Sequence, residues 1–340
     1  MTESMLIVDT HHHFLPAEVL GRLQEMAGGK PRLVNDRISI TLNPDLADIA
    51  AHLEAMDTAG VNVAILTNSG VSVLGTETCR ILNAGMAEIQ ARYPDRFVAA
   101  AHVDLDDETA PDELDDCIAR YATRVVALQS SSPTRDLDDP SLDPLWSRIS
   151  DHQIPVILHP PNLPRGAALA YGLERSCARP FDTTQAAVRL ICGVLPRFPK
   201  LRFVLPHCGG TTPFLKGRIA MFFNEPGQPS DRQLPRTQRE QRVEGLDRVF
   251  EELWSKLYFD TAGTGGWSPV VNYTAALIGT DHLVFGTDYP LESHDGATML
   301  ELVEMIADLD CSEEGRVQIA GGTAFKLFGN ALAAPRTYRS

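Results

Sequence analysis

Three consecutive histidines, His11, His12 and His13, follow directly on the apolar run Leu6-Ile7-Val8 and precede Phe14-Leu15-Pro16. Side chains alternate faces along a strand, so His11 and His13 point one way and His12 the other. Two imidazoles two residues apart can reach one cation, whereas His12 is expected to serve packing or to support its neighbours. On its own the pair is weak evidence, because histidines at strand ends are often ordinary hydrogen-bonded core groups.

Three further residues strengthen the metal reading. His159 closes the run VILHPP, His207 closes FVLPHCGG, and Asp288 closes VFGTDYP. Hydrophobic strands that repeatedly finish in a ligand-type residue are hard to explain by packing. Imidazoles plus one carboxylate suit Zn2+, and also Mn2+ or Fe2+, with a position left open for water or substrate.

Eight short apolar runs can carry these groups, at 6–9, 61–68, 96–103, 124–129, 154–160, 201–207, 257–262 and 282–290. Most lack polar alternation, as strands buried on both faces do. Amphipathic stretches such as DLADIAAHLEAMDTAG and GATMLELVEMIADL lie between them. Eight strands alternating with helices in 340 residues predict an α/β fold, a (β/α)8 TIM barrel over 1–340, with an open doubly wound sheet as the alternative. On a barrel the ligand-type residues would gather at the C-terminal ends of the strands. Two Pro- and Arg-rich insertions interrupt the rhythm, near 161–183 and 223–246. The first follows a strand directly and is expected on the catalytic rim; the second is expected to be a lid or an interface arm.

The formal net charge of −15 argues against nucleic acid or an anionic membrane as partner. A small anionic substrate remains compatible, because close, desolvated charges outweigh screened distant ones. No apolar run approaches a membrane span, and the N-terminus lacks the basic-then-apolar pattern of a secretory leader, so a cytoplasmic location is the expectation. The six cysteines form no CxxC pair and are expected to be reduced thiols.

The segments DTHHHFLP, ILHP, LPHCGGTTPFLKGRI and FGTDYP, in this order, resemble the motifs of the amidohydrolase superfamily in its decarboxylase-rich branch. That branch includes aminocarboxymuconate semialdehyde, γ-resorcylate and 6-methylsalicylate decarboxylases. The resemblance implies one divalent ion, Zn2+ or Mn2+, on His11, His13, His159 and Asp288, with His207 and Asp288 catalytic. It also implies a small aromatic carboxylate as substrate, most of all a 2-hydroxybenzoate such as 6-methylsalicylate, and a homodimer. Binuclear members need a bridging group, commonly a carboxylated lysine on the fourth strand, and RVVALQSSS holds no lysine. The arginine that binds the substrate carboxylate in the semialdehyde enzyme has no matching spacing here, Arg37 being in the same region. Metal-dependent hydrolysis of a lactone or amide is the alternative reaction, since the same ligands serve both. A non-catalytic metal-binding scaffold would be expected to lack a ligand, and none is missing.

Phe14, Trp267, His294 and His207 are the candidate substrate contacts. Asp260, at the end of YFDTAG, is expected to orient a ligand histidine. Asp182, in PFDTT, is expected to cap the helix that follows. His52, His102 and His282 are expected to be structural.

Overall fold

The computed structural model describes residues 5–223 and 248–332. Its ten strands are β1 (Val8–His13), β2 (Arg32–Val34), β3 (Ser39–Thr41), β4 (Val63–Thr67), β5 (Phe97–Ala99), β6 (Val126–Gln129), β7 (Val156–His159), β8 (Phe203–Leu205), β9 (Leu257–Asp260) and β10 (Leu283–Val284). Strands β2 and β3 form a small antiparallel hairpin; the other eight are the expected apolar runs and all pair in parallel.

Those eight fall into two ladders, β1-β4-β5 and β6-β7-β8-β9-β10. Both seams between the ladders are bridged. Ala101 pairs with Val126 next to β5 and β6, its N–H donating to Val125 O at 2.8 Å. Next to β10 and β1, Thr10 N–H donates to Phe285 O at 2.9 Å and His13 N–H to Tyr289 O at 2.7 Å. The sheet is therefore closed into the barrel that strand count and patterning predict, with no free edge.

Alternation along the strands builds two cores. Val8, Ile65, Val98, Ala127, Ile157 and Val204 fill the barrel interior, and Leu327 and Phe328 of the helix Thr323–Phe328 join this cluster. Leu66, Phe97, Leu128, Leu158, Leu205 and Phe259 face outward and pack under the helices. Each strand is thus apolar on both faces, which is why the runs read as continuous rather than alternating.

The segment after β7 folds as short helical turns, Ala170–Gly172 and Glu174–Ala178, running straight into the helix Arg179–Arg189. Asp182 consequently sits inside a helical turn instead of capping one. Its carboxylate accepts the hydroxyls of Ser130 and of Ser131, the latter at 2.7 Å, beyond the end of β6. The 223–246 insertion lies, beyond Phe223, outside the described residues. Among the described residues no helix is long and apolar enough to cross a membrane.

Candidate metal centre

His11 and His13 occupy the last turn of the pleat in β1 and point into the barrel mouth. His11 Nδ1 lies 2.7 Å from Asp260 Oδ2, which makes that nitrogen a donor and turns Nε2 toward the other rings, where an ion would take the place of its proton. His13 Nδ1 lies 3.3 Å from Thr67 O, and His159 Nδ1 lies 2.7 Å from Pro160 O. All three rings are therefore tied through Nδ1 and offer Nε2 to a common point.

The Nε2 atoms of His11 and His13 are 3.2 Å apart, and the His159 ring centroid lies 5.2 Å and 5.0 Å from theirs. Two nitrogens each about 2.1 Å from one ion, at tetrahedral or octahedral angles, stand roughly 3.0–3.4 Å apart. Asp288 completes the set: its Oδ1 lies 2.9 Å from His13 Nε2 and 3.8 Å from His11 Nε2. His207 stacks on His11 at 5.1 Å, with its Nε2 4.0 Å from Asp288 Oδ2. His207 Nε2 is shut away from solvent without a hydrogen-bond partner, and Asp288 Oδ1 is equally buried with only the close approach of His13 Nε2. Buried polar atoms left open in this way are costly, and a cation among them resolves the cost. The donor set fits one divalent ion.

Electrostatics agrees with that arrangement. Burial alone would raise the Asp288 carboxyl, but His13, His11 and His207 hold it well below the usual carboxylate range, so it is an anion. Burial works against charge on His11, yet Asp260 and Asp288 lift its pKa to about 9. Burial and the charge of His11 push His207 down to about 4, and burial with the neighbouring imidazoles lowers His159. His207 and Asp288 adopt left-handed backbone angles, φ 55° and 51°, a conformation that β-carbons disfavour and that recurs at functional positions.

His12 faces away from His11 and His13, and a register shift between Asp9 and His12 reverses the parity that Val8 sets in the barrel interior. The His12 Nδ1 is 2.8 Å from Asp9 Oδ2 and its Nε2 is 2.8 Å from His52 Nδ1, while His52 Nε2 is 2.8 Å from Asp45 O. Asp45 O can only accept, so His52 Nε2 donates to it; burial holds the His52 pKa well below its ordinary value, which leaves the neutral ring's Nδ1 to accept from His12 Nε2. Asp9 also accepts from His11 N, Thr287 N and Thr287 Oγ1. Phe14 shares the parity of His12 and lies edge-on to His52 at 5.6 Å in the outer core. It is not a cavity wall, contrary to expectation. Trp267, also expected there, is 65% exposed at the start of the helix Ser268–Ile278 and does not line the cavity.

Beside the donors opens a cavity of about 450 Å³ lined by His13, His159, Asp288 and His294. Its lining also includes Arg32 from the hairpin, which the sequence did not single out, and Asn162, Arg175 and Arg179 from the 161–183 insertion, whose residues were expected as walls. Arg37 instead donates to Val73 O at 3.3 Å and lines a different cavity. Glu292 also reaches the wall, where its carboxylate accepts the N–H groups of Gly263 and Gly265. The other histidines are structural. His102 Nε2 accepts Asn68 N–H at 2.9 Å, and His282 Nδ1 lies 2.8 Å from Leu257 O.

Residues 8–329 match the model of a family described as Amidohydrolase. The chain belongs to that family. It is 26% identical over 296 residues to γ-resorcylate decarboxylase of Rhizobium sp. strain MTP-10005, covering 81% of this chain and 85% of the relative. It is 24% identical over 339 residues to 6-methylsalicylic acid decarboxylase of Penicillium expansum, covering 95% and 96%. Among solved structures, dihydroxybenzoic acid decarboxylase of Polaromonas sp. JS666, crystallised with manganese and 2-nitroresorcinol, superposes with a TM-score of 0.69 at 22% identity, covering 99% of this chain and all of the other.

Proposed function

We propose that this amidohydrolase-family protein is a metal-dependent, non-oxidative decarboxylase of a 2-hydroxybenzoate, with one Zn2+ or Mn2+ ion per chain held by His11, His13, His159 and Asp288. The observation that carries this reading is an ionised Asp288 at the edge of a closed three-imidazole cluster, facing a cavity sized for one aromatic ring. The aromatic-acid decarboxylases among the relatives support the reaction class.

When bound, the ion supplies a positive centre that orients the substrate carboxylate with its ortho oxygen and favours the phenolate. Asp288, as an anion, cannot begin as the acid; it first acts as a base toward the ortho hydroxyl. It then returns that proton to the ring carbon bearing the carboxylate. The carbon–carbon bond breaks, its electron pair restores the aromatic ring as a phenolate, and carbon dioxide leaves. The phenolate takes its last proton from water. His207, held neutral with an open Nε2 beside Asp288, hydrogen-bonds the reacting group. Asp260 keeps His207 in place by accepting its backbone N–H at 2.8 Å.

Metal analysis of the purified protein, coupled to carbon dioxide release from a panel including 6-methylsalicylate and 2,6-dihydroxybenzoate, tests the proposal. One ion per chain with phenol formation is the expected result. One ion per chain with no decarboxylation but with cleavage of lactones or amides would overturn it in favour of hydrolysis. A homodimer belongs to the same reading and is checked by light scattering.

A further inference from the structure

His207 opens a run of left-handed backbone. His207, Cys208, Gly209 and Gly210 have φ of 55°, 53°, 72° and 62°. Residues with a β-carbon disfavour that region, so a turn that places two of them there in succession needs contacts from outside to hold it. Within the turn, Gly209 N–H donates to Pro206 O at 2.8 Å and Gly210 N–H to His207 O at 3.0 Å.

Side chains pin the turn at both ends. At its start Asp260 Oδ1 accepts the His207 N–H. At its end Thr184 Oγ1 accepts the N–H of Thr211 at 3.0 Å. Thr184 is buried in the helix Arg179–Arg189, in the insertion after β7. Its hydroxyl donates to Pro180 O at 2.8 Å. That uses its one proton, so across the 2.8 Å between the two threonine hydroxyls Thr211 is the donor. Thr184 Oγ1 therefore gives one hydrogen bond and takes two, the full capacity of a hydroxyl. Gly210 tightens the same junction: a β-carbon there would collide with the Pro180 carbonyl, 3.0 Å from its carbon atom. Backbone meets backbone at this point, and neither side can swing away.

We infer that Thr184 is a positioning residue for His207: through Thr211, its hydroxyl holds the left-handed turn against the insertion helix and keeps His207 aimed at the bound substrate. This rests on the proposed function in one respect, that His207 acts on the substrate. Thr184 is not among the described residues that line the cavity, so its loss is expected in the rate and not in substrate binding.

The test uses the metal-loaded full chain with Thr184→Val, which keeps the branched shape without the hydroxyl, and Thr184→Ser, which restores the hydroxyl. One readout is amide hydrogen exchange of the 207–211 segment by mass spectrometry, which needs no substrate. The other is kcat and KM for carbon dioxide release from the panel substrate that turns over fastest. Thr184→Val should raise exchange in that segment and lower kcat at least about tenfold, since misplacing a reacting group by ~1 Å costs on the order of 10²-fold, with KM little changed. Thr184→Ser should return both toward wild type. In a His207→Ala background Thr184→Val should cost no further rate, as coupled residues require. Unchanged metal content and melting temperature show that the variants are folded. If Thr184→Val does not fold, Thr211→Val, which removes only the bond between the two hydroxyls, should give the same changes at smaller size.

Unchanged exchange in Thr184→Val, a kcat loss that Thr184→Ser does not repair, or a loss as large without His207 as with it would overturn the positioning role. The two readings fail separately. No carbon dioxide from any panel substrate, with Thr184→Val still raising exchange and slowing lactone or amide cleavage, sinks the decarboxylase and keeps the positioning role. Wild-type decarboxylation in Thr184→Val does the reverse.

Discussion

Asp260 holds His11 from behind: its Oδ2 is 2.7 Å from His11 Nδ1, while its Oδ1 accepts the backbone N–H of His207 at 2.8 Å. One buried carboxylate therefore orients the ring of a proposed metal ligand and the histidine beside it. Supports of this kind raise ligand basicity, and their loss costs about 10–100-fold in metal affinity. Asp260→Asn should show that loss in a chelator competition titration, and an unchanged dissociation constant would refute the role.

Gly263 sits against the His207 ring, where a β-carbon would come within 2.4 Å of Cδ2, and its φ of 70° suits glycine alone. Gly263→Ala must displace His207. Misplacement by about 1 Å costs on the order of 10²-fold in rate. The expected result is a drop in kcat of that order with metal still at one ion per chain. Wild-type kcat would remove His207 from the chemistry.

His12→Ala would leave two buried polar atoms, Asp9 Oδ2 and His52 Nδ1, short of the partner that His12 gives them. Each buried polar group left open costs about 1–3 kcal/mol. Denaturant unfolding should register a loss of about 2 kcal/mol or more. A loss below about 0.5 kcal/mol would contradict His12 as the link between Asp9 and His52.

His102 offers a pH signature outside the proposed donor set. Burial, with a smaller contribution from His13, holds its pKa near 3 in the folded protein, against 6.5 as the ordinary value. Between these values the unfolded chain carries a proton that the folded one does not, so folding stability from this residue falls as pH drops through the window. The slope is about 1.4 kcal/mol per pH unit. The stability gap between wild type and His102→Gln should move in favour of the variant by about that amount per unit below pH 6.5. A gap constant from pH 7.5 to 5 would show His102 to be solvated.

All eight barrel strands were legible because strands buried on both faces leave uninterrupted apolar runs, and the residues gathered at the barrel mouth, His11, His13, His159, His207 and Asp288, were legible because each follows such a run. The hairpin of β2 and β3 was not, since three-residue strands with mixed burial carry too little pattern. Arg32 was missed with it, although Arg37 drew notice nearby. Arg175 and Arg179 stood in a stretch visibly rich in arginine, but which of its guanidiniums turns inward is set by helical turns that no run of residue types announces. Phe14 and Trp267 were expected at the cavity on aromatic character alone. For Phe14 the alternation that separates His12 from His11 and His13 gives the answer, since Phe14 keeps the parity of His12.

The opposed duties of adjacent residues in β1 bear on how the strand finds its place. Sliding β1 by one position relative to β4 and β10 would turn His12 into the barrel mouth and press His11 and His13 into the outer core. The slip would strand Asp9 from His12 and break up the donor set in the same movement. Folding stability and metal binding thus proofread one alignment independently, and the strand that closes the barrel has no low-cost neighbouring register in which to become trapped.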